Sequence, residues 1–286
     1  MKHNLKITAL LLVFFLLAQY LGLAILYQYI DPVKSLETGQ TEFKDLPIGE
    51  RPPVQEKVSY LPVILAILIG TAIFIILIKY HLIWVWKVWY LIAVVISLII
   101  AWSVWMRKEI ALLLALVFGI WKVFKPNVWV QNITELFLYG GLAAIFVPLF
   151  NVLSVSVLLI LISIYDIYAV WKSKHMIKLA KIQMKQKFFA GLFWPYKKKV
   201  PLKKGVVAKA RIAVLGGGDI GFPLIFAGVV LKEWGLLPSL IIPLFALIAL
   251  AGLFYFSKEK KFYPAMPFIS AGCFVGLLVS WLIFMI

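Results

Sequence analysis

The sequence predicts an all-α polytopic membrane protein: nine transmembrane helices, with the N-terminus cytoplasmic and the C-terminus outside. Three observations carry this. Of 286 residues, 64% are hydrophobic and 14% charged, against about 45–50% and about 25% in an ordinary soluble domain. The apolar residues fall in long runs, many near the roughly 20 residues that a bilayer-spanning helix requires. The formal charge of +17, from 29 Lys+Arg against 12 Asp+Glu, sits mainly between those runs, where it reports orientation. The same composition excludes a water-soluble fold and intrinsic disorder.

Taken in order, the runs are Leu5–Ile30, Tyr60–Ile78, Leu82–Trp105, Glu109–Phe124, Ile133–Phe150, Val152–Trp171, Arg211–Val230, Trp234–Phe256 and Pro264–Ile286. The fourth is short, and the fifth and sixth nearly abut at Asn151, so eight spans also satisfy the pattern. The first run is too long for a signal-peptide core and no small-x-small cleavage site follows it, so it reads as a retained helix. With the N-terminus inside, cytoplasmic segments hold 21 basic residues and outside segments seven; Lys87 lies within a span. That imbalance is the positive-inside pattern.

The chain reads as one membrane domain. Residues 1–171 supply helices one to six, with an extracellular loop over 31–59 that holds six acids, four basic residues and four prolines. Residues 172–210 form a basic cytoplasmic loop without Asp or Glu, and 211–286 supply helices seven to nine. Within the loop, Met176–Phe189 mixes apolar and Lys positions as a surface-lying helix does. The apolar stretch Phe188–Trp194 is too short to span. It reads as an interfacial anchor over anionic lipid, with a plug between helices as the sharper alternative. Anionic headgroups and orientation account for the basic loop without nucleic acid. Cys273 has no disulfide partner, and His3, His81 and His175 are far apart, so neither a metal nor another cofactor is expected.

The acids are more informative than the bases. Six lie in the 31–59 loop, Glu109 and Glu135 fall at span ends, and Glu233 and Glu259 lie in turns. Asp166 and Asp219 alone fall inside apolar runs, where a carboxylate costs about 2.5–3.5 kcal/mol on insertion scales. Asp166 lies about 9 Å and Asp219 about 12 Å from the cytoplasmic face, on helices of opposite direction, so the two can meet at one level. Two carboxylates in contact share a proton. One can then take a proton from water while the other donates to a peptide carbonyl. Proton relay or cation binding in a transporter would use the same pair. Three glycines, Gly216, Gly217 and Gly218, precede Asp219 and allow another backbone to come close, although small residues also serve ordinary helix packing. Tyr165 precedes Asp166, and Pro264-Ala265-Met266 opens the last run, where Pro suits a helix start.

Taken in order, Tyr165-Asp166, Gly216-Gly217-Gly218-Asp219 and Pro264-Ala265-Met266 resemble the motifs of the intramembrane aspartyl proteases, the family of presenilin and signal peptide peptidase. That family carries Tyr-Asp in helix six, Gly-x-Gly-Asp in helix seven and Pro-Ala-Leu at the start of helix nine. Met266 in place of Leu roughly conserves volume and polarity. Ile220-Gly221-Phe222-Pro223 looks more like signal peptide peptidase and Pro267 more like presenilin, a mixture that fits a microbial homologue in a prokaryotic cell membrane. The resemblance implies hydrolysis of peptide bonds within transmembrane segments by Asp166 and Asp219 through an activated water, with no metal. It also implies that Tyr165, Gly216–Gly218 and Pro264–Met266 shape the site. Strand-like pairing of an unwound substrate is expected near Pro264–Pro267.

Overall fold

The computed structural model describes residues 5–53, 55–173, 189–196, 211–257, 263–284 and 286. Its long helices are α1 (Leu5–Tyr29), α3 (Tyr60–Lys79), α4 (Ile83–Trp102), α5 (Lys108–Phe124), α6 (Val128–Phe146), α7 (Val152–Ile167), α8 (Gly217–Trp234), α9 (Leu236–Phe256) and α10 (Met266–Phe284). After α1 come strand β1 (Ile30–Asp31), a short helix α2 (Pro32–Thr38) and strand β2 (Glu42–Phe43), which pairs antiparallel with β1. Helix α2 starts where Asp31 accepts the N–H groups of Val33 and Lys34, with Pro32 in its first turn, and stops at Gly39 with φ +70°.

Among the described residues, seven helical segments are long and apolar enough to cross a membrane. Neither α5 nor α8 is among them: α5 has 17 residues, and α8 carries Asp219, Lys232 and Glu233 within 18. Exposed apolar side chains such as Leu65, Leu113, Ile248 and Leu278 line the outer surface, as in a bundle whose solvent is lipid.

The core is built around α1, which packs against α6, α8 and α9. Small residues set the spacing. A Cβ on Gly141 of α6 would collide with the Ser97 carbonyl of α4, and one on Gly140 with Ile25 of α1. In contrast, α3 contributes only Phe74 to the buried set.

The fifth and sixth runs are separated by a 3-10 turn, Val147–Leu149, containing Pro148. Asn151 then caps α7 in a reciprocal arrangement with Ser154. At this end of the bundle the 31–59 loop is tied down. Lys232 Nζ lies 2.7 Å from Glu56 Oε1 and donates to the Phe150 carbonyl at 3.0 Å, while Arg51 Nε donates to the Ala144 carbonyl at 3.2 Å.

Three sequence expectations change. Arg211–Gly216, expected as the first turns of the seventh span, is strand β4, paired antiparallel with β3 (Gly191–Tyr196) from Gly191↔Gly216 to Tyr196↔Arg211. Glycines at 216–218 leave α8 without a strong former before Asp219. Residues 191–194 of the expected Phe188–Trp194 anchor are therefore strand, with Leu192 1% exposed, rather than a segment spread on the membrane surface. The surface helix expected from Met176 lies, through residue 188, outside the described residues, as does most of the basic loop.

The third change concerns Glu135. It is not at a span end but two turns inside α6, with its side chain 1% exposed, against the fully buried side chain of Lys122. Lys122 therefore cannot serve as a cytoplasmic loop charge.

Candidate active site

Asp166 sits at the end of α7, where the helix loosens into a π turn, Tyr168–Lys172. Such turns are frequent at functional sites. Its Oδ2 accepts the N–H of Met266, the first residue of α10, at 3.1 Å, and the Ala265 backbone lies beside the same carboxylate. Pro264-Ala265-Met266 is thus a helix start, and its unsatisfied N–H groups face an acid. A second tie between α7 and α10 runs from Ser163 Oγ to Ser270 Oγ at 2.9 Å. The Tyr165 hydroxyl reaches across to Thr71 Oγ1 of α3 at 3.5 Å.

Asp219 lies in the first turn of α8. The Gly216 backbone hydrogen-bonds its carboxylate, and Asp166 is close enough to act on it electrostatically. Both acids are half-buried. The glycines before Asp219 differ in how little room surrounds them, Gly217 having the least. A Cβ on Gly216 would stand 3.2 Å from Asp219 Oδ2, one on Gly217 would stand 2.9 Å from the Tyr139 hydroxyl and 3.3 Å from the Ala190 carbonyl, and one on Gly218 would meet the Phe222 ring at 3.3 Å. Gln19 of α1 donates to the Ile220 carbonyl at 2.8 Å, just beyond Asp219.

Sequence reasoning missed the β3–β4 hairpin and the polar cluster beneath it. Gln131 Nε2 lies 2.7 Å from the Phe189 carbonyl, 3.0 Å from the Gly191 carbonyl and 2.8 Å from Glu135 Oε1. Asn132 brackets Phe193, donating to its carbonyl at 2.9 Å and accepting its N–H at 3.1 Å. Glu135 Oε1 also takes Lys122 Nζ at 2.6 Å, and its Oε2 accepts the Tyr139 hydroxyl. One signal was present. Residues 131, 135 and 139 recur at four-residue spacing, one face of a helix, but beginning the span at Ile133 hid it.

The register shows which hairpin edge is open. Phe193 turns its N–H and C=O toward Asn132, so it and its partner Val214 form a non-hydrogen-bonded pair. By the same alternation, Ile212, Val214 and Gly216 direct their backbone groups away from β3. Pro195, which lacks an N–H, faces Ile212 at another such position. The closed edge therefore belongs to β3, and among the described residues no strand pairs with the other edge, that of β4, whose Gly216 end meets the Asp219 carboxylate.

The family described as "Signal-peptide peptidase, presenilin aspartyl protease" matches residues 42–286. Two solved structures of a presenilin family intramembrane aspartate protease, in space groups C222 and P2, each superpose with a TM-score of 0.61 at 18% identity. Both alignments cover 94% of this chain, and 94% and 95% of the respective solved chains. No curated protein matches significantly.

Proposed function

The chain belongs to the signal-peptide peptidase and presenilin family of aspartyl proteases, and from that premise we propose that Asp166 and Asp219 are its catalytic pair, acting on peptide bonds within transmembrane segments. Membership makes the protein a multi-pass membrane enzyme, an aspartic intramembrane endopeptidase. The observation that supports the residue assignment is that two intramembrane acids lie within electrostatic reach of one another at one end of the bundle, with Asp166 held by the Met266 N–H. The family assignment removes the main support for proton- or cation-coupled transport by the same acids.

In the proposed reaction one carboxyl is protonated and the other ionised, as two adjacent acids require. The ionised carboxylate takes a proton from a water held between them, and the water oxygen attacks the scissile carbonyl carbon. The protonated carboxyl donates to the carbonyl oxygen, giving a neutral tetrahedral diol. Collapse of the diol breaks the C–N bond as the carboxyl protonated in the first step gives its proton to the departing nitrogen and the other carboxylate takes one from a diol hydroxyl. This leaves a carboxyl terminus and an amine, with the acids ready to bind the next water. Met266 N–H holds Asp166 in position through both steps.

A helical substrate must unwind to expose its carbonyl. The β4 edge at Ile212 and Val214 supports pairing with an unwound strand, and this edge suits the task better than the Pro264–Pro267 region. A strand added there would run past Asp219. Tyr165, Gly216–Gly218 and Pro264–Met266 shape the surroundings. Nine spans, a cytoplasmic N-terminus, an outside C-terminus, a prokaryotic cell membrane and anionic lipid beneath the 172–210 loop complete the proposal.

The test is cleavage of a transmembrane reporter by full-length protein carrying Asp166→Asn or Asp219→Asn. Each is expected to abolish cleavage while thermal unfolding stays near wild type. Wild-type cleavage by either variant would overturn the assignment.

A further inference from the structure

The Lys122–Glu135 pair is the least expected feature of the bundle. Charge buried this completely is a poor source of net stability, because the desolvation cost rivals the attraction between the partners. What this pair does is organise other donors. Glu135 Oε1 takes Lys122 Nζ at 2.6 Å and Gln131 Nε2 at 2.8 Å, while Oε2 takes the Tyr139 hydroxyl. Thr134 Oγ1 receives Lys122 at 3.1 Å.

Both arms lead to the acid pair. Gln131, so oriented, has its second N–H to share between the carbonyls of Phe189 and Gly191, 2.7 and 3.0 Å from Nε2, where β3 begins. Ala190, between them, accepts the Gly217 N–H at 3.0 Å. Tyr139 places its hydroxyl 2.9 Å from where a Gly217 Cβ would stand, and its ring edge 3.6 Å from that of Gly221. The glycine turn before Asp219 is therefore held from two sides, and both holds end on Glu135.

We propose that Glu135, fixed by Lys122, is a positioning residue for the catalytic pair: through Gln131 and Tyr139 it seats the β3–Gly217 junction so that Asp219 faces Asp166. Glu135 touches neither substrate nor reacting atoms. The contact from Lys122 Nζ at 2.6 Å aims the carboxylate, so that one oxygen accepts from Gln131 and the other from Tyr139. The inference rests on the Asp166–Asp219 assignment above.

Its test must separate positioning from folding. Glu135→Ala is unsuitable, since it strands Lys122 as an unpaired buried cation. The informative full-length variants are Lys122→Met/Glu135→Leu, which removes both charges and both acceptor oxygens, and Lys122→Met/Glu135→Gln, which keeps one oxygen to accept from either Gln131 or Tyr139. Gln131→Met and Tyr139→Phe cut one arm each. Each is assayed for kcat and KM on the transmembrane reporter, with thermal unfolding measured in parallel.

For the Leu double variant, kcat is expected to fall about 10²-fold, the scale of a misplacement of about 1 Å, with KM and Tm near wild type. Each single-arm variant is expected to fall part of the way, and the Gln double variant, which keeps one acceptor oxygen, to recover part of the rate. The proposal is overturned if the Leu variant keeps wild-type kcat, loses activity only in step with its folded fraction, or is matched by the Gln variant. Asp166→Asn and Asp219→Asn run alongside. If they are inactive while the Glu135 variants are normal, only the positioning role fails; if they cleave, the acid-pair assignment fails.

Discussion

At the scale of single residues, the two acids were conspicuous and Glu135 was not, for one physical reason. Asp166 and Asp219 interrupt runs that are otherwise apolar or glycine-rich. Glu135 follows Gln131, Asn132 and Thr134, and four polar residues together look like the wet end of a helix. They are the opposite, buried together with their polar groups satisfied: Gln131 pairs with Glu135, Asn132 with the Phe193 backbone, and Thr134 with Lys122 and the Val130 carbonyl. The glycines carry the residue-scale prediction. In Gly217→Ala the new methyl meets the Tyr139 hydroxyl at 2.9 Å and the Ala190 carbonyl at 3.3 Å. The hydroxyl is pinned by Glu135 and the carbonyl is backbone, so the turn itself must shift. A fall in kcat of about 10²-fold is expected, with overpacking costing about 1–3 kcal/mol of stability. Gly218→Ala, on the exposed side and opposed only by the Phe222 ring at 3.3 Å, is expected to retain most of its activity. Comparing kcat and Tm for the two variants checks this; equal losses would remove the special role of the Gly217 contact.

At the scale of elements, the long helices were largely legible from run length, and the hairpin was not. Residues 211–216 read as the start of a helix because Arg211 marks a boundary and an apolar run follows it. Only the pairing with residues 191–196, across a long stretch of sequence, makes a strand of it, and local patterning does not report such pairing. Helix contacts give a second contrast. Gly141→Ala drives a methyl into the Ser97 carbonyl of α4; that carbonyl belongs to a helix backbone, so the α4–α6 interface must open. A loss of about 1–3 kcal/mol is expected. Gly70 of α3 has nothing within 4 Å of its would-be Cβ, so Gly70→Ala is expected to stabilise by about 0.5–1 kcal/mol through helix propensity alone. Reversible unfolding in mild detergent with added denaturant measures both. A destabilised Gly70→Ala would mean that α3 is packed more tightly than its single buried residue, Phe74, implies.

At the scale of the whole molecule, the two ends of the bundle differ in kind. One end is covered by the 31–59 loop, fastened through Lys232 to Glu56 and through Arg51 to the Ala144 carbonyl. The other carries the hairpin, the acid pair and the junctions to the basic 172–210 loop. Moving Lys122 out of the loop tally lowers the cytoplasmic count from 21 only to 20, still against seven, so the orientation argument survives the correction. It puts the acid pair toward the cytoplasm and the covered end outside. Cysteine labelling can check this without removing the native thiol, because Cys273 is 0% exposed. Glu37 and Lys79 are both exposed and lie at opposite ends of the chain's second crossing. In intact cells a membrane-impermeant maleimide is expected to label Glu37→Cys and not Lys79→Cys, with Lys79→Cys reacting only after permeabilisation. The reverse pattern would invert the orientation and place the acid pair near the outer face. Labelling of both in intact cells would break the alternation of crossings on which the nine-span arrangement rests.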